Sequence, residues 1–333
     1  MESISIGIEE GTPGYAAINA NTNTMYVSYP FSNFILVINL TSRSIQKKIP
    51  ANSPGNIVVN QVTNKVFVSS GDGIYEFTGD TDKHELINAG RPHADGSMDI
   101  NRVTNKLYTT CFDSGDIVTI IDADNYSIVN KVAVREKSRY LPGYHGSHVF
   151  LKLYGIAVHS SENKIYLTNY EEKSISIYDF ERSEKPLSSI LMKVTNPRFV
   201  LVNDVSNLLY VLGSMFVPHT AFENFSVFDL QNGNKELAIN KKANLPPNNA
   251  QVPFAFNSTS NTIYMKKDHE KSILKLDSFA NKILNATTFE NRSFWQRFYE
   301  AYDYFAEIIA VNPSTNKVYV SDSKNILLYE IDG

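Results

Sequence analysis

Three histidines have the residue type and the spacing that could hold a transition metal. His145 and His148 lie three residues apart in the segment RYLPGYHGSH, and His93 lies in the segment GRPHADG. Imidazole is the commonest protein ligand for zinc or copper, and three such ligands leave one coordination position open. The histidines therefore predict a divalent transition-metal site. The alternative is that they are exposed or packed against aromatic rings.

A second group could bind or act on a polar ligand. Tyr154, Arg198 and Glu307 occupy corresponding positions of three sequence repeats, at which the first repeats have Gly14 and Gly55. Glycine lets backbones crowd together, whereas large polar groups in its place could converge on a bound group. Arg198 could pair with an anionic ligand, and the three groups with a histidine could supply acid–base chemistry. Alternatively, the arginine and the glutamate pair with each other.

The segment SFWQRFYEAYDYF over residues 293–305 is rich in aromatic residues. Phenylalanine and tyrosine recur at i, i+4, i+8 and i+11 from Phe294, which predicts a short helix over about 293–304. Aromatic side chains away from this stripe could stack on a sugar, a base or a partner side chain. Packing of all these rings onto the scaffold is the alternative. The residues that this interpretation leaves for a ligand are Trp295, Arg297 and Tyr299, together with Tyr144.

A six-residue phrase that recurs seven times indicates what positions these residues. It reads TNTMYV in its first copy and TNKVYV in its last. Alternating apolar runs around each copy, separated by turns rich in Asn, Thr and Gly, predict four strands per repeat. Seven such units predict an all-β, seven-bladed β-propeller in one domain over residues 1–333, closed by the N-terminal run ISIGI pairing into the last blade. The pivot asparagines of the repeats are Asn23, Asn64, Asn105, Asn163, Asn207, Asn261 and Asn316.

The repeated phrases are similar to those of a known family. VNPSTNKVYVSD (311–322) and VNQVTNKVFVSS (59–70) resemble the YVTN-type β-propeller repeat, and the resemblance covers essentially the whole chain. It implies a seven-bladed propeller, and many members are exported or lie on cell surfaces, notably in archaea. The compartment stays open: extracytoplasmic or cell surface by resemblance, cytoplasmic if the native chain begins at Met1. The chain departs from the repeat at His159, where the other copies have asparagine.

The extra length of the chain falls on one face of the predicted ring. The insertions span residues 135–153, 213–224, 241–253 and 291–304. Each is a loop between the second and third strands of a blade or a crossing between blades, and these share one face of an antiparallel blade. We term it the insertion-rich face. The opposite face carries the first-to-second and third-to-fourth turns, and we term it the turn face. Binding and catalysis concentrate in loops on rigid scaffolds.

The composition and the absence of known motifs exclude several classes of function. The chain of 333 residues has one cysteine and a formal net charge of −4, which argues against a disulfide scaffold and against general nucleic-acid coating. No stretch approaches the ~18–20 apolar residues that span a bilayer, and no nucleotide-binding or nucleophile motif is present. We therefore expect a monomeric, non-catalytic scaffold that binds a protein, a glycan or a small ligand on the insertion-rich face. The alternative is a lyase or hydrolase at the pore mouth, with or without a histidine-ligated metal.

Overall fold

The computed structural model describes residues 2–5, 11, 13–78, 84–89, 97–111, 117–134, 155–170, 172–192, 196–215, 222–240, 254–267, 272–277, 282–288, 308–321 and 327–332. These residues form seven antiparallel sheets of four strands, and each sheet is one blade of a ring. In the first six blades, chain order is spatial order from the innermost strand outwards, whereas the outer strand of the seventh comes from the N-terminus. A 3-10 turn at Pro30–Ser32 is the one helical element among them. The predicted seven-bladed β-propeller is therefore confirmed.

The blades are numbered 1 to 7 in chain order, after the N-terminal strand β1 (Glu2–Ser5). Blade 1 consists of β2 (Ala16–Asn19), β3 (Thr24–Tyr29), β4 (Phe34–Asn39) and β5 (Ser44–Pro50), and blade 2 of β6 (Ile57–Asn60), β7 (Lys65–Ser70), β8 (Gly73–Thr78) and β9 (His84–Ile87). Blade 3 consists of β10 (Met98–Asn101), β11 (Lys106–Cys111), β12 (Ile117–Asp122) and β13 (Ile128–Ala133), and blade 4 of β14 (Ile156–His159), β15 (Lys164–Asn169), β16 (Ser174–Tyr178) and β17 (Ser188–Leu191).

Blade 5 consists of β18 (Asn196–Asn203), β19 (Leu208–Met215), β20 (Phe222–Asp229) and β21 (Lys235–Asn240), and blade 6 of β22 (Phe254–Asn257), β23 (Thr262–Lys267), β24 (Ser272–Asp277) and β25 (Lys282–Thr288). Blade 7 consists of β26 (Ile309–Asn312), β27 (Lys317–Ser321) and β28 (Leu327–Asp332), with β1 as its outer strand.

The ring is closed by the N-terminal strand. β1 pairs antiparallel with β28, with Glu2 opposite Glu330 and Ser5 opposite Leu327. Ile4 is buried in a core cluster that also holds Ile18 of blade 1 and Tyr319 of blade 7. The closure predicted from the sequence is confirmed, although the paired strand is Glu2–Ser5, which begins two residues before the predicted run ISIGI. The outer edge of the last blade is therefore paired rather than open.

The hydrophobic core lies between neighbouring blades. The aromatic residue three positions after each pivot asparagine is buried in all seven blades. Tyr26 of blade 1 packs with Val66 and Val68 of blade 2, and Tyr319 of blade 7 packs with Met25 of blade 1. These rings therefore pack blade against blade. The seven residues are Tyr26, Phe67, Tyr108, Tyr166, Tyr210, Tyr264 and Tyr319.

Asparagines shape the turn between the first and second strands of every blade. All seven pivot asparagines have positive φ, between 51° and 59°, a left-handed conformation that asparagine tolerates better than most residues. The asparagine that ends an inner strand accepts hydrogen bonds from the turn, as Asn60 does from the N–H groups of Val62 (3.0 Å) and Thr63 (3.4 Å). Both sets are therefore turn-formers, as the sequence predicts.

These asparagines also connect the blades in a closed circle. The side-chain amide of each strand-end asparagine donates a hydrogen bond to the pivot asparagine of the next blade, and His159 donates instead in blade 4. The amide pairs measure between 2.5 and 2.8 Å. Each bond contributes a net stabilisation of about 1 kcal/mol. The pairs are Asn19–Asn64, Asn60–Asn105, Asn101–Asn163, His159–Asn207, Asn203–Asn261, Asn257–Asn316 and Asn312–Asn23.

Candidate functional site

Arg198 is the one predicted site residue that lies within the described part of the chain. The other predicted site residues and the helix predicted over about 293–304 lie outside the described residues. The metal site, the aromatic surface and the helix therefore stay predictions. No group of three or more His, Cys, Asp or Glu side chains among the described residues is arranged to hold a metal ion. The predicted site residues outside the described ranges are His93, Tyr144, His145, His148, Tyr154, Trp295, Arg297, Tyr299 and Glu307.

Arg198 is held at the insertion-rich end of the inner strand of blade 5. It lies at an irregularity in the pairing of β18 with β19, and its side chain is partly exposed. Its carbonyl oxygen accepts a hydrogen bond from the Thr168 hydroxyl of blade 4 (3.4 Å). A methyl group on Gly155 would approach that oxygen to 2.8 Å, so only glycine permits this contact between the blades. The backbone that carries the guanidinium is therefore fixed by its neighbour.

Blade 5 extends further onto the insertion-rich face than the other described blades. Its inner strand β18 has eight residues, whereas the inner strands of the other six blades have four. The pairs Gly213–Asn224, Ser214–Glu223 and Met215–Phe222 continue the β19–β20 hairpin. The sequence assigned residues 213–224 to a loop, and that boundary is wrong because antiparallel pairing continues through both ends of the segment.

An exposed phenylalanine lies on the same face in blade 1. Phe31 is in the 3-10 turn that joins β3 to β4, and 89% of its surface is exposed. The turn is anchored through Asn33, whose carbonyl accepts the N–H of Ala51 (3.0 Å) and whose side chain accepts the N–H of Ser53 (2.8 Å). The ring therefore extends into solvent from a loop whose backbone is held in place.

Among the described residues, Asp99 is a carboxylate in the inner strand of blade 3, two residues before the turn asparagine Asn101. One oxygen of Asp99 accepts the N–H of Val158 (2.8 Å), on the channel-facing edge of blade 4, and the other accepts the N–H of Ile100 (2.8 Å). Ser97 makes a parallel contact, since its hydroxyl accepts the N–H of Ile156 (3.0 Å). The other six inner strands have apolar residues at the position of Asp99: Ala17, Val58, Ala157, Leu201, Ala255 and Ala310.

Loss of surrounding water makes the Asp99 carboxylate costly to ionise, although the residue keeps part of its surface exposed. Desolvation raises the pKa of Asp99 to about 6, the nearby Asp204 carboxylate raises it further, and the Arg102 guanidinium and the two backbone N–H groups oppose the shift. This carboxyl group, at a repeat position where the other six inner strands have apolar residues, connects blades 3 and 4. Asp99 was not among the predicted site residues, although its aspartate stands at a repeat position where the other blades have alanine, valine or leucine.

The aspartates that end third strands hold turns. Asp122 accepts the N–H of Asp124 (2.8 Å), and Asp229 accepts the N–H groups of Gln231 (3.0 Å) and Asn232 (3.2 Å). Both carboxylates therefore hold the turns that follow the third strands.

Comparison with known proteins supports the fold and leaves the family open. No family model matches the chain, and no curated protein matches it. Among solved structures, hydrazine synthase of Kuenenia stuttgartiensis is 11% identical with a TM-score of 0.68, covering 98% of this chain and 97% of that chain. The β-propeller domain of Cps50 (Swd1) from Myceliophteria thermophila is 10% identical with a TM-score of 0.66, covering 98% of each. The chain has the seven-bladed β-propeller fold.

These structural similarities show the fold and nothing about activity, because propellers with very different functions share the same architecture. In the part of the chain that the structure describes, no helix has the length and apolar character needed to cross a membrane. The function must therefore be argued from the two faces of the ring and from its channel.

Proposed function

We propose that this propeller, of the YVTN type that its repeats resemble, is a non-catalytic scaffold that binds a protein, a glycan or a small ligand on its insertion-rich face. The observation that carries the proposal is where the blades differ. The turn-face ends of all seven inner strands share one turn geometry and one circle of hydrogen bonds. Blade 5 grows by additional strand pairs at the opposite end alone, through Ser214–Glu223 and Met215–Phe222.

The rigidity of the ring supports a binding role. Loops that are mounted on a fixed scaffold lose less conformational entropy when a ligand binds them. The closing strand β1 and the hydrogen bond from Asn312 to Asn23 (2.6 Å) tie blade 7 to blade 1. The scaffold thus has no free end blade that would have to order on binding.

Phe31 supports the choice of face. Interfaces draw much of their binding energy from a few aromatic anchors that enter pockets of the partner. Phe31 is more exposed than the other large apolar side chains of the described residues, and its loop is fixed through Asn33. An aromatic ring presented in this way on the insertion-rich face is suited to a pocket in a partner or to the apolar face of a sugar.

The test is to shorten the blade-5 hairpin. Replacing residues 214–223 with Asn-Gly would leave six residues in β19 and six in β20, the length of β7 and β8 in blade 2, joined by a favoured two-residue turn. The intact chain is first screened on a glycan array, a peptide library and a metabolite panel. We expect affinity for any ligand found to fall at least about tenfold in the shortened variant, with cooperative thermal unfolding retained.

A control on the opposite face makes the result specific. Val62→Ser removes an exposed apolar side chain from the turn face and should leave the same affinity unchanged. Equal binding by the shortened variant and by the wild type would contradict the assignment to the insertion-rich face. Turnover of a lyase or hydrolase substrate by the wild type, abolished by a chelator, would instead favour the metalloenzyme alternative.

A further inference from the structure

Two oppositely charged residues occupy the same turn position on either side of blade 4. Arg102 directly follows the strand-end Asn101 of blade 3, and Asp204 directly follows the strand-end Asn203 of blade 5. Each is followed by a valine. The repeat symmetry of the ring places blades 3 and 5 at equal angles from blade 4. The turn face therefore carries a charge pattern that changes sign across blade 4.

The two turns have the same backbone geometry. The Asn101 side-chain oxygen accepts the N–H of Val103 (2.9 Å), and the Asn203 oxygen accepts the N–H of Val205 (3.0 Å). The pivots that follow, Asn105 and Asn207, have φ of 51° and 54°. The positions are thus equivalent in structure as well as in sequence, so a two-fold rotation can exchange them.

Within the described part of the chain, neither Arg102 nor Asp204 forms an ion pair with a Lys, Arg, Asp or Glu side chain, although the Arg102 guanidinium is near enough to Asp99 to lower the pKa of that carboxyl. Arg102 is exposed and makes no ion pair there. The Asp204 side chain, 26% exposed, accepts the N–H of Ser160 (3.3 Å) and lies 3.7 Å from His159 Nδ1, the ring nitrogen opposite the one that donates to Asn207. Three of the four lysines that follow pivots form ion pairs, by contrast: Lys106 with Glu181 (2.6 Å), Lys164 with Glu162 (2.5 Å) and Lys317 with Asp332 (2.5 Å). The fourth, Lys65, donates to the carbonyl of Ala123 (2.8 Å).

Apolar side chains accompany the two charges. Val103 is 71% exposed and Val205 is 80% exposed. Between them, the turn of blade 4 presents Ser161, which is small and exposed, and Glu162, whose charge Lys164 neutralises. The middle of the pattern therefore offers neither a bulky apolar side chain nor an unpaired charge to oppose the approach of another surface.

We propose that a second copy of this chain binds turn face to turn face, about a two-fold axis that lies in this face along blade 4. Such an axis puts Arg102 of one protomer opposite Asp204 of the partner subunit, and the reverse, so that two ion pairs form. It also puts Val103 opposite Val205 of the partner subunit. Isologous two-fold pairing needs a surface that is complementary to itself, and this pattern satisfies that requirement.

The association would depend strongly on salt. Ion pairs at an accessible interface add modest affinity and are screened within about 8 Å at physiological ionic strength. The valines supply the part of the contact that salt does not weaken. The protein would then be a reversible dimer instead of the monomer expected from the sequence. It does not rest on the proposed ligand-binding function, which uses the opposite face.

The experiment is sedimentation velocity on the full chain at low salt, up to about 1 mM protein, the weak end of specific association. We expect the wild type to dimerise, and Arg102→Asp and Asp204→Arg each to raise the dissociation constant at least about tenfold. An equimolar mixture of the two variants should regain wild-type association, because each then meets its opposite charge in both contacts. Thermal melts confirm that each variant folds.

Lys131→Asp is the matched control, since Lys131 is exposed on the outer strand β13 and its reversal changes the net charge as Arg102→Asp does. It should leave the dissociation constant within about threefold of wild type, a difference below 1 kcal/mol. A wild type that stays monomeric throughout, or folded variants that do not regain association when mixed, would overturn the proposal.

Discussion

His159 Nε2 donates a hydrogen bond to Asn207 Oδ1 across the seam between blades 4 and 5, over 2.9 Å. The imidazole is wholly buried, and its other nitrogen lies 3.3 Å from the Ser161 hydroxyl. An asparagine amide supplies one donor and one acceptor at the other six seams, and the Nε2–H tautomer supplies the same two functions here. The exception in the sequence thus preserves the circle of hydrogen bonds instead of breaking it.

Replacing His159 tests whether the donor or the ring shape matters. His159→Asn restores the residue of the other repeats and should cost about 1 kcal/mol of unfolding free energy, because the smaller side chain leaves a small cavity. His159→Leu fills the space but leaves Asn207 without its donor, and should cost about 2–3 kcal/mol. Urea denaturation measures both. A leucine variant as stable as the asparagine variant would contradict a role for the hydrogen bond.

Tyr166 and Tyr319 occupy the same repeat position but differ in the fate of the hydroxyl. The Tyr166 hydroxyl is buried with no hydrogen-bond partner in the described part of the chain, whereas Tyr319 donates to Glu330 over 3.4 Å. Burying a hydroxyl without a partner costs about 1–3 kcal/mol. We expect Tyr166→Phe to stabilise the protein by about 1 kcal/mol and Tyr319→Phe to destabilise it by a similar amount. Thermal melts of the two variants would contradict this interpretation if both shifted downwards.

The fold could be predicted from the repeat because the same local sequence pattern recurs in all seven blades. Alternating apolar residues, turn asparagines and one aromatic per blade each depend on near neighbours in the chain, so spacing alone revealed them. The bond from Asn19 to Asn64 joins residues of different blades, and the contact from Asp99 to Val158 does likewise. Such contacts depend on how blades sit against each other, which the period does not specify.

The candidate site was less predictable, because its contacts also join residues of different blades. Arg198 was identified as one of three large polar residues at its repeat position, but its carbonyl contact with Thr168 follows from the approach of blade 4 at Gly155. The end of the β19 hairpin was placed too early, since Ser214 and Met215 continue the pairing beyond the repeat. A repeat predicts what its copies share, and function depends on where they differ.

The carboxyl of Asp99 predicts a specific pH dependence of stability. Burial raises its pKa to about 6 from an ordinary value of 3.8, so the folded protein binds this proton more tightly than the unfolded chain. The contribution of this group is therefore fully present below about pH 4 and is lost as the pH rises through about 6. The loss amounts to roughly 2–3 kcal/mol, at 1.36 kcal/mol per pKa unit.

Asp99→Asn removes the titration and isolates this effect. Unfolding free energies of wild type and variant are measured by urea denaturation between pH 4 and pH 7. We expect the difference, wild type minus variant, to fall by roughly 2–3 kcal/mol across this range, whatever the absolute stability of the variant. Parallel pH profiles would show that the carboxyl has an ordinary pKa in the folded state and is not desolvated.

The closing strand should carry a large share of the stability of the ring through one side chain. Ile4 is 2% exposed, in the cluster between blades 7 and 1. Truncating a buried isoleucine to alanine costs about 2–5 kcal/mol. Ile4→Ala should therefore destabilise strongly, whereas Ile45→Ala, on outer strand β5 with 41% exposure, should cost less than about 1 kcal/mol. Equal costs in guanidinium denaturation would mean that β1 does not close the ring in solution.

A substitution at Phe31 can test ligand binding on the insertion-rich face without changing the stability of the protein. Its ring is 89% exposed, so Phe31→Ser removes few packing contacts and should change the unfolding free energy by less than about 0.5 kcal/mol. If the ring anchors a ligand, the same change should weaken binding at least about tenfold, because anchoring aromatics cost about 2 kcal/mol or more when truncated. Isothermal titration with a ligand from the screen measures this, with Val62→Ser on the turn face as control. Unchanged affinity for a ligand that the shortened hairpin no longer binds would confine the site to blade 5 and exclude blade 1 from it.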